Sequence, residues 1–112
     1  MNDSVKNRKS IDPKHIALQK TLDIICGKWR LYIIYQVGTE ARRYGELRRM
    51  IPEVSEKVLI QELKVLVSLG VIEKKSYSEV PPRVEYKLTP KGMQVLPTLL
   101  KLTSIGELFL EP

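Results

Sequence analysis

The chemistry open to this chain is narrow. Among its 112 residues are one cysteine, Cys26, and one histidine, His15. A lone thiol closes no internal disulfide and builds no multi-cysteine zinc site, and this cysteine usage fits a reducing compartment. Nothing in the sequence places Cys26 beside His15 as nucleophile and base, so Cys26 reads as a small packed residue. With no glycine-rich phosphate loop, no metal-ligand cluster and no paired acid and base, no catalytic residue, metal or cofactor is expected. What remains is cationic chemistry. Lys and Arg number 19 against 13 Asp and Glu, a net charge of +6, which suits a polyanionic partner such as nucleic acid.

The cations are grouped. Arg42, Arg43, Arg48 and Arg49 crowd one short stretch with only Glu46 interspersed, an arrangement that positions guanidinium groups on phosphates. A little further on, Ser55, Lys57, Ile60, Gln61 and Lys64 follow one another at helical spacing. Lys57 has the chemistry to meet guanine O6/N7 or a phosphate, Gln61 to bridge adenine N6/N7, and Ile60 to touch a thymine methyl. Glu56 shares this stretch, and Ser55 reads as an N-cap. Arg83 follows Pro81-Pro82, where an arginine either enters a narrow minor groove or pairs with Glu79 or Glu85.

These groups need elements to hold them. From about Pro13, Ile16, Leu18, Leu22 and Ile25 recur at helical spacing as far as Gly27. Trp29 to Val37 is apolar at nearly every position and predicts a helix enclosed on several sides, ended by Gly38. Arg42 to Met50 reads as a short helix stopped at Pro52, with Tyr44, Leu47 and Met50 on one side. After Ser55, Leu59, Leu63, Leu66 and Val67 continue a helix to Gly70. The brief link Ile51 to Val54 makes the two a helix-turn-helix candidate. The period then changes to alternation over Val71–Tyr77 and Arg83–Leu88, a β-hairpin in the position of a wing. Thr89 and Pro90 open a last helix running to about Phe109. The fold class is thus mainly α with a small β-hairpin wing: a winged helix-turn-helix flanked by N- and C-terminal helices.

The last helix is apolar on more than one side, with Met93, Leu96 and Leu100 in one line and Val95, Leu99, Leu102 and Phe109 in another. A chain of this size has little core to cover both, so a homodimer is expected through Ile16, Leu18, Leu22, Val95, Leu99, Leu102 and Phe109. Pro97 should bend this helix. Trp29, Tyr32 and Tyr35 motivate a small-molecule effector pocket between the first, second and last helices, although such aromatics are more often plain core. Residues 1–12, with Lys6, Arg8 and Lys9, read as a basic flexible tail, and residues 13–112 as one domain. No apolar run approaches the ~20 residues of a membrane span, and a cytoplasmic location follows as the expectation.

Four blocks, in order, carry a family resemblance: Cys26-Gly27-Lys28-Trp29, Arg43-Tyr44-Gly45-Glu46-Leu47-Arg48-Arg49, Ile51 through Leu59, and Val80 through Thr89. Over about residues 15 to 105 the chain resembles the HxlR-type winged-helix regulators, which are themselves MarR-like. The resemblance implies a DNA-binding transcriptional regulator whose second motif helix enters the major groove of double-stranded DNA. The chain departs from the family pattern at three places. His15 stands where several members carry a redox-sensing cysteine, Cys26 replaces a common glycine, and Ile60 and Glu62 stand where a polar residue and an arginine are frequent. Glu62 would repel phosphate if it faced DNA, and with Ile60 it leaves open a competing reading: a winged-helix protein-interaction module with weak or no DNA binding.

Overall fold

The computed structural model describes residues 12–110. Except for Asp12, the expected basic tail lies outside them. The chain begins with α1 (Pro13–Ile25), whose first turn is capped by the Asp12 carboxylate accepting from the Lys14 amide at 3.0 Å, with Pro13 in the first helical position. Then come α2 (Arg30–Val37), the two-residue strand β1 (Arg42–Arg43), α3 (Tyr44–Met50) and α4 (Glu56–Ser68). Strands β2 (Ile72–Tyr77) and β3 (Arg83–Leu88) precede α5 (Pro90–Lys101) and α6 (Thr103–Glu107). Among the described residues no helix is long and apolar enough to cross a membrane.

Three local devices fix the order of elements. Ser55 accepts from the Val58 amide at 3.2 Å and starts α4. Gly70, at φ +79°, ends it: the Val71 amide reaches back to the Leu66 carbonyl and the Gly70 amide to the Val67 carbonyl, both at 3.0 Å, a Schellman closure that turns the chain directly into β2. Thr89 accepts from the Gly92 amide at 3.0 Å and donates to the Gly70 carbonyl at 2.6 Å. One side chain thereby starts α5 and ties it to the end of α4.

The sheet is antiparallel with order β1-β3-β2, and Ile72 pairs with Leu88 while Tyr77 pairs with Arg83. Its base is buried through Ile72, Tyr86 and Leu88, whereas Glu73 to Ser76 are exposed on both faces, so the hairpin projects as a wing. Beneath it, Ile33, Ile34 and Val37 of α2, Leu47 of α3, Ile51 and Val54 of the turn, and Leu59, Leu63 and Leu66 of α4 form one core with Leu96 and Leu99 of α5.

Four details differ from the sequence expectation. Arg42 and Arg43 are not helical but pair with Tyr86 and Glu85 as a third strand; two arginines show no apolar alternation to announce one. Tyr35 is exposed on α2, and Val67 on α4. The last helix is broken at Leu102, where the Thr103 and Ser104 hydroxyls donate to the Leu100 and Lys101 carbonyls at 2.8 Å, local bonds that compete with the helical ladder. Cys26 is exposed at the C-cap of α1 rather than packed.

Candidate nucleic-acid interface

The helix-turn-helix is α3, the turn Ile51–Ser55, and α4. Leu59, Leu63 and Leu66 anchor one stripe of α4 in the core. The opposite stripe exposes Lys57, Ile60, Gln61 and Lys64 together. Glu56 opens the helix, where a carboxylate favours the positive end of the dipole; it also accepts from the Tyr44 hydroxyl at 3.1 Å, bolting α3 to the start of α4. Burial and that neighbouring carboxylate push the Tyr44 hydroxyl above its usual pKa of 10.0.

The arginines divide into two kinds. Arg43 and Arg49 are exposed on α3 and its approach. Arg42 donates from Nε to the Val37 carbonyl at 3.2 Å, and Arg48 donates from Nη1 to the Val54 carbonyl at 2.9 Å. These two half-buried side chains tie off the end of α2 and the motif's turn. Arg83 is also engaged within the chain: its guanidinium lies 3.8 Å from the Tyr77 ring centre, 3.0 Å from Glu79 and 3.6 Å from Glu85. The intramolecular ion pair, one of the two alternatives for Arg83, is formed.

Glu62 does not face outward with Gln61. It turns back toward α2, where Arg30 Nε meets Glu62 Oε1 at 2.5 Å and the same guanidinium donates to the Asp23 carbonyl at 2.6 Å. The acid expected to repel phosphate is therefore neutralised inside the fold. Sequence reasoning overlooked Lys74. It shares the face of β2 that carries buried Ile72, and with Lys64, Ile60 and Val67 it borders the groove between α4 and the wing. The alternation in β2 was the available signal.

The expected dimer residues lie at two places. Ile16, Leu18 and Leu22 are exposed along α1, Ile16 at 53%, and Phe109 is 81% exposed beyond α6. Val95 and Leu102 are half-buried. Leu99 is buried within the protomer alongside Leu96, one residue from each expected line, because a three-residue step faces the core while Met93 and Leu100 are left outside. Between α2 and α5 an apolar groove of about 620 Å³ is lined by Leu31, Tyr32, Tyr35, Leu96 and Leu100 among others. Trp29 instead packs near Tyr32, ring centres 6.3 Å apart.

The family model of HxlR-like helix-turn-helix proteins matches residues 24–112, which includes every element of the motif and wing. The chain belongs to that family. It is 35% identical over 109 residues to the uncharacterized HTH-type transcriptional regulator YdeP of Bacillus subtilis, covering 92% of this chain and 85% of that one. A Porphyromonas gingivalis W83 protein of the MarR family of transcriptional regulators superposes with a TM-score of 0.77 at 49% identity, over 88% of this chain and 96% of the other. The reduced form of the transcriptional regulator YodB of B. subtilis superposes at 0.75 with 26% identity, over 91% and 97%. The chain is accordingly a winged helix-turn-helix transcriptional regulator, not an enzyme, and the family implies DNA binding; the reading as an interaction module without DNA affinity is not favoured.

Proposed function

We propose that this chain is a cytoplasmic homodimer that regulates transcription by binding an inverted-repeat operator. The observation that carries the DNA contact is the composition of the exposed stripe on α4: Lys57, Ile60, Gln61 and Lys64 stand outward while the helix's interior acid, Glu62, is folded back on Arg30. Lys57, Ile60 and Gln61 meet base edges in the major groove, Ser55 starts the helix at that surface, and Arg43, Arg49 and Lys64 hold phosphates. Lys74 adds a phosphate contact from the wing. Arg42 and Arg48 act indirectly by holding the turn, and Arg83 by stiffening the wing around Tyr77.

Dimerisation is supported by exposed apolar surface. Ile16, Leu18 and Leu22 of α1, with Ile105 and Phe109 at the other end of the chain, remain uncovered in one protomer. Paired about a two-fold axis, these helices place two copies of α4 roughly one duplex turn apart, ~34 Å. Sedimentation of the protein with a duplex carrying the inverted repeat tests both points: two chains per duplex is the expected stoichiometry, and one chain bound to an isolated half-site with undiminished affinity contradicts it. The apolar groove between α2 and α5 is where an effector would act, and competition between uncharged aromatic compounds and duplex for the protein tests that role.

A further inference from the structure

Arg30 is, among the described residues, the one side chain hydrogen-bonded to both α1 and α4. Its two contacts differ in kind. The Asp23 carbonyl belongs to the last turn of α1, where backbone acceptors lack intrahelical donors, and Arg30 Nη1 supplies one at 2.6 Å. Glu62 lies midway along α4, and its Oε1 receives Arg30 Nε at 2.5 Å. The paired side chains are only 18% and 17% exposed, so solvent screens them weakly and neither charge has an equivalent partner if they separate. The backbone makes room for this arrangement: a Cβ at Gly27 would lie 2.8 Å from Arg30 Nε.

We propose that Arg30 is a positioning residue for DNA reading, fixing the rotation of α4 against the end of α1 so that the orientation of α1 reaches the recognition face. Glu62 directly follows Gln61 and precedes Lys64 by two positions; any rotation at Glu62 turns the whole exposed stripe. Base-edge contacts tolerate only about 0.5 Å and 10–20° of misplacement. The inference rests on α4 being the DNA-reading helix. It adds that α1 and α4 move as a unit.

The sign of the effect separates positioning from simple electrostatics. An acid that faced DNA would, once neutralised, allow tighter binding to every duplex. A positioning acid, once neutralised, weakens the specific complex and leaves non-specific binding unchanged. The test compares E62Q, R30M, the double variant R30M/E62Q and G27A with the unaltered chain, on the preferred duplex and on a random one, at one salt concentration and where all are folded. E62Q and R30M are each expected to weaken specific binding on the order of tenfold, with the double variant no worse than either single. G27A, which displaces the Arg30 stem without changing charge, shifts binding in the same direction. Tighter binding by E62Q to both duplexes, or strictly additive losses, would overturn the proposal. Hydrogen exchange gives a DNA-independent readout: R30M should raise exchange both in the last turn of α1 and around Glu62, and a rise confined to one helix overturns the coupling. If the unaltered chain prefers no duplex, the DNA reading itself has failed, and the exchange result alone decides whether α1 and α4 are coupled.

Discussion

Replacing Arg49 with glutamine should flatten the salt dependence of duplex binding, whereas the same change at Arg48 should not. The structure supplies the count. Of the seven cations on α3, α4, their approach and Arg83, three are held within the chain: Arg42 on the Val37 carbonyl, Arg48 on the Val54 carbonyl and Arg83 among Tyr77, Glu79 and Glu85. Arg43, Arg49 and Lys64 remain exposed to hold phosphates, Lys57 is turned to base edges, and Lys74 of the wing makes the fourth phosphate contact. Four phosphates per protomer, doubled by two-fold symmetry, give a log–log slope of about −7, or a fall of about 10⁴-fold in affinity between roughly 50 and 200 mM salt. Removing Arg49 takes one phosphate from each half of the dimer and should bring the slope to about −5. Arg48→Gln should keep the slope near −7 while lowering stability by about 1 kcal/mol through the lost bond to the turn. Fluorescence anisotropy of a labelled duplex titrated across that salt range reads both quantities. An unchanged slope for Arg49→Gln, or a flattened one for Arg48→Gln, would refute the division of the arginines. A wild-type slope near −4 would mean that a single protomer binds.

Other outcomes follow from the same contacts. Leu59→Ala, at a fully buried position in α4, should cost about 2–5 kcal/mol in urea unfolding; a loss under about 1 kcal/mol would contradict the placement of this stripe. Gly92→Ala would drive a Cβ into the Val71 carbonyl oxygen. Backbone must move there, so destabilisation of about 1–3 kcal/mol or more is expected, and a neutral result argues against the close approach of α5 to the end of α4. Burial, with the Glu56 carboxylate, raises the Tyr44 hydroxyl, and burial raises Tyr86, each from an ordinary value of 10.0. The folded chain therefore keeps protons that the unfolded chain releases, and this stability is present below pH 10 and lost as pH rises through the higher folded values. Tyr44→Phe and Tyr86→Phe should each reduce that alkaline loss, as measured by denaturant midpoints across the range. Ile16→Ser combined with Phe109→Ser should yield a monomer by light scattering, and an intact dimer would move the interface elsewhere.

Much of this fold was legible because its devices are local. Ser55 and Thr89 announce their helices, Gly70 ends one, and the shift from a helical to a two-residue period marks the wing. Four ordered blocks of residues carry the family resemblance in the sequence itself. The missing parts depend on partners that leave no trace in sequence. Arg42 and Arg48 are held by backbone carbonyls, which every residue possesses, so nothing distinguished them from Arg43 and Arg49. Glu62 and Arg30 lie 32 positions apart, and only the packing of α2 against α4 shows that the acid turns inward. On α5, periodicity identified an apolar helix without fixing its rotation, and packing alone shows that Leu99 faces the core and Leu100 does not. Strand β1 escaped notice because its pairing comes from β3 rather than from any preference of Arg42 and Arg43.

The most direct test of the central claim is selection from a pool of random duplex DNA at moderate salt, followed by sequencing of the bound fraction. The account predicts enrichment of an inverted repeat whose half-sites lie about one helical turn apart. Recovery of no enriched sequence at any salt concentration would contradict it.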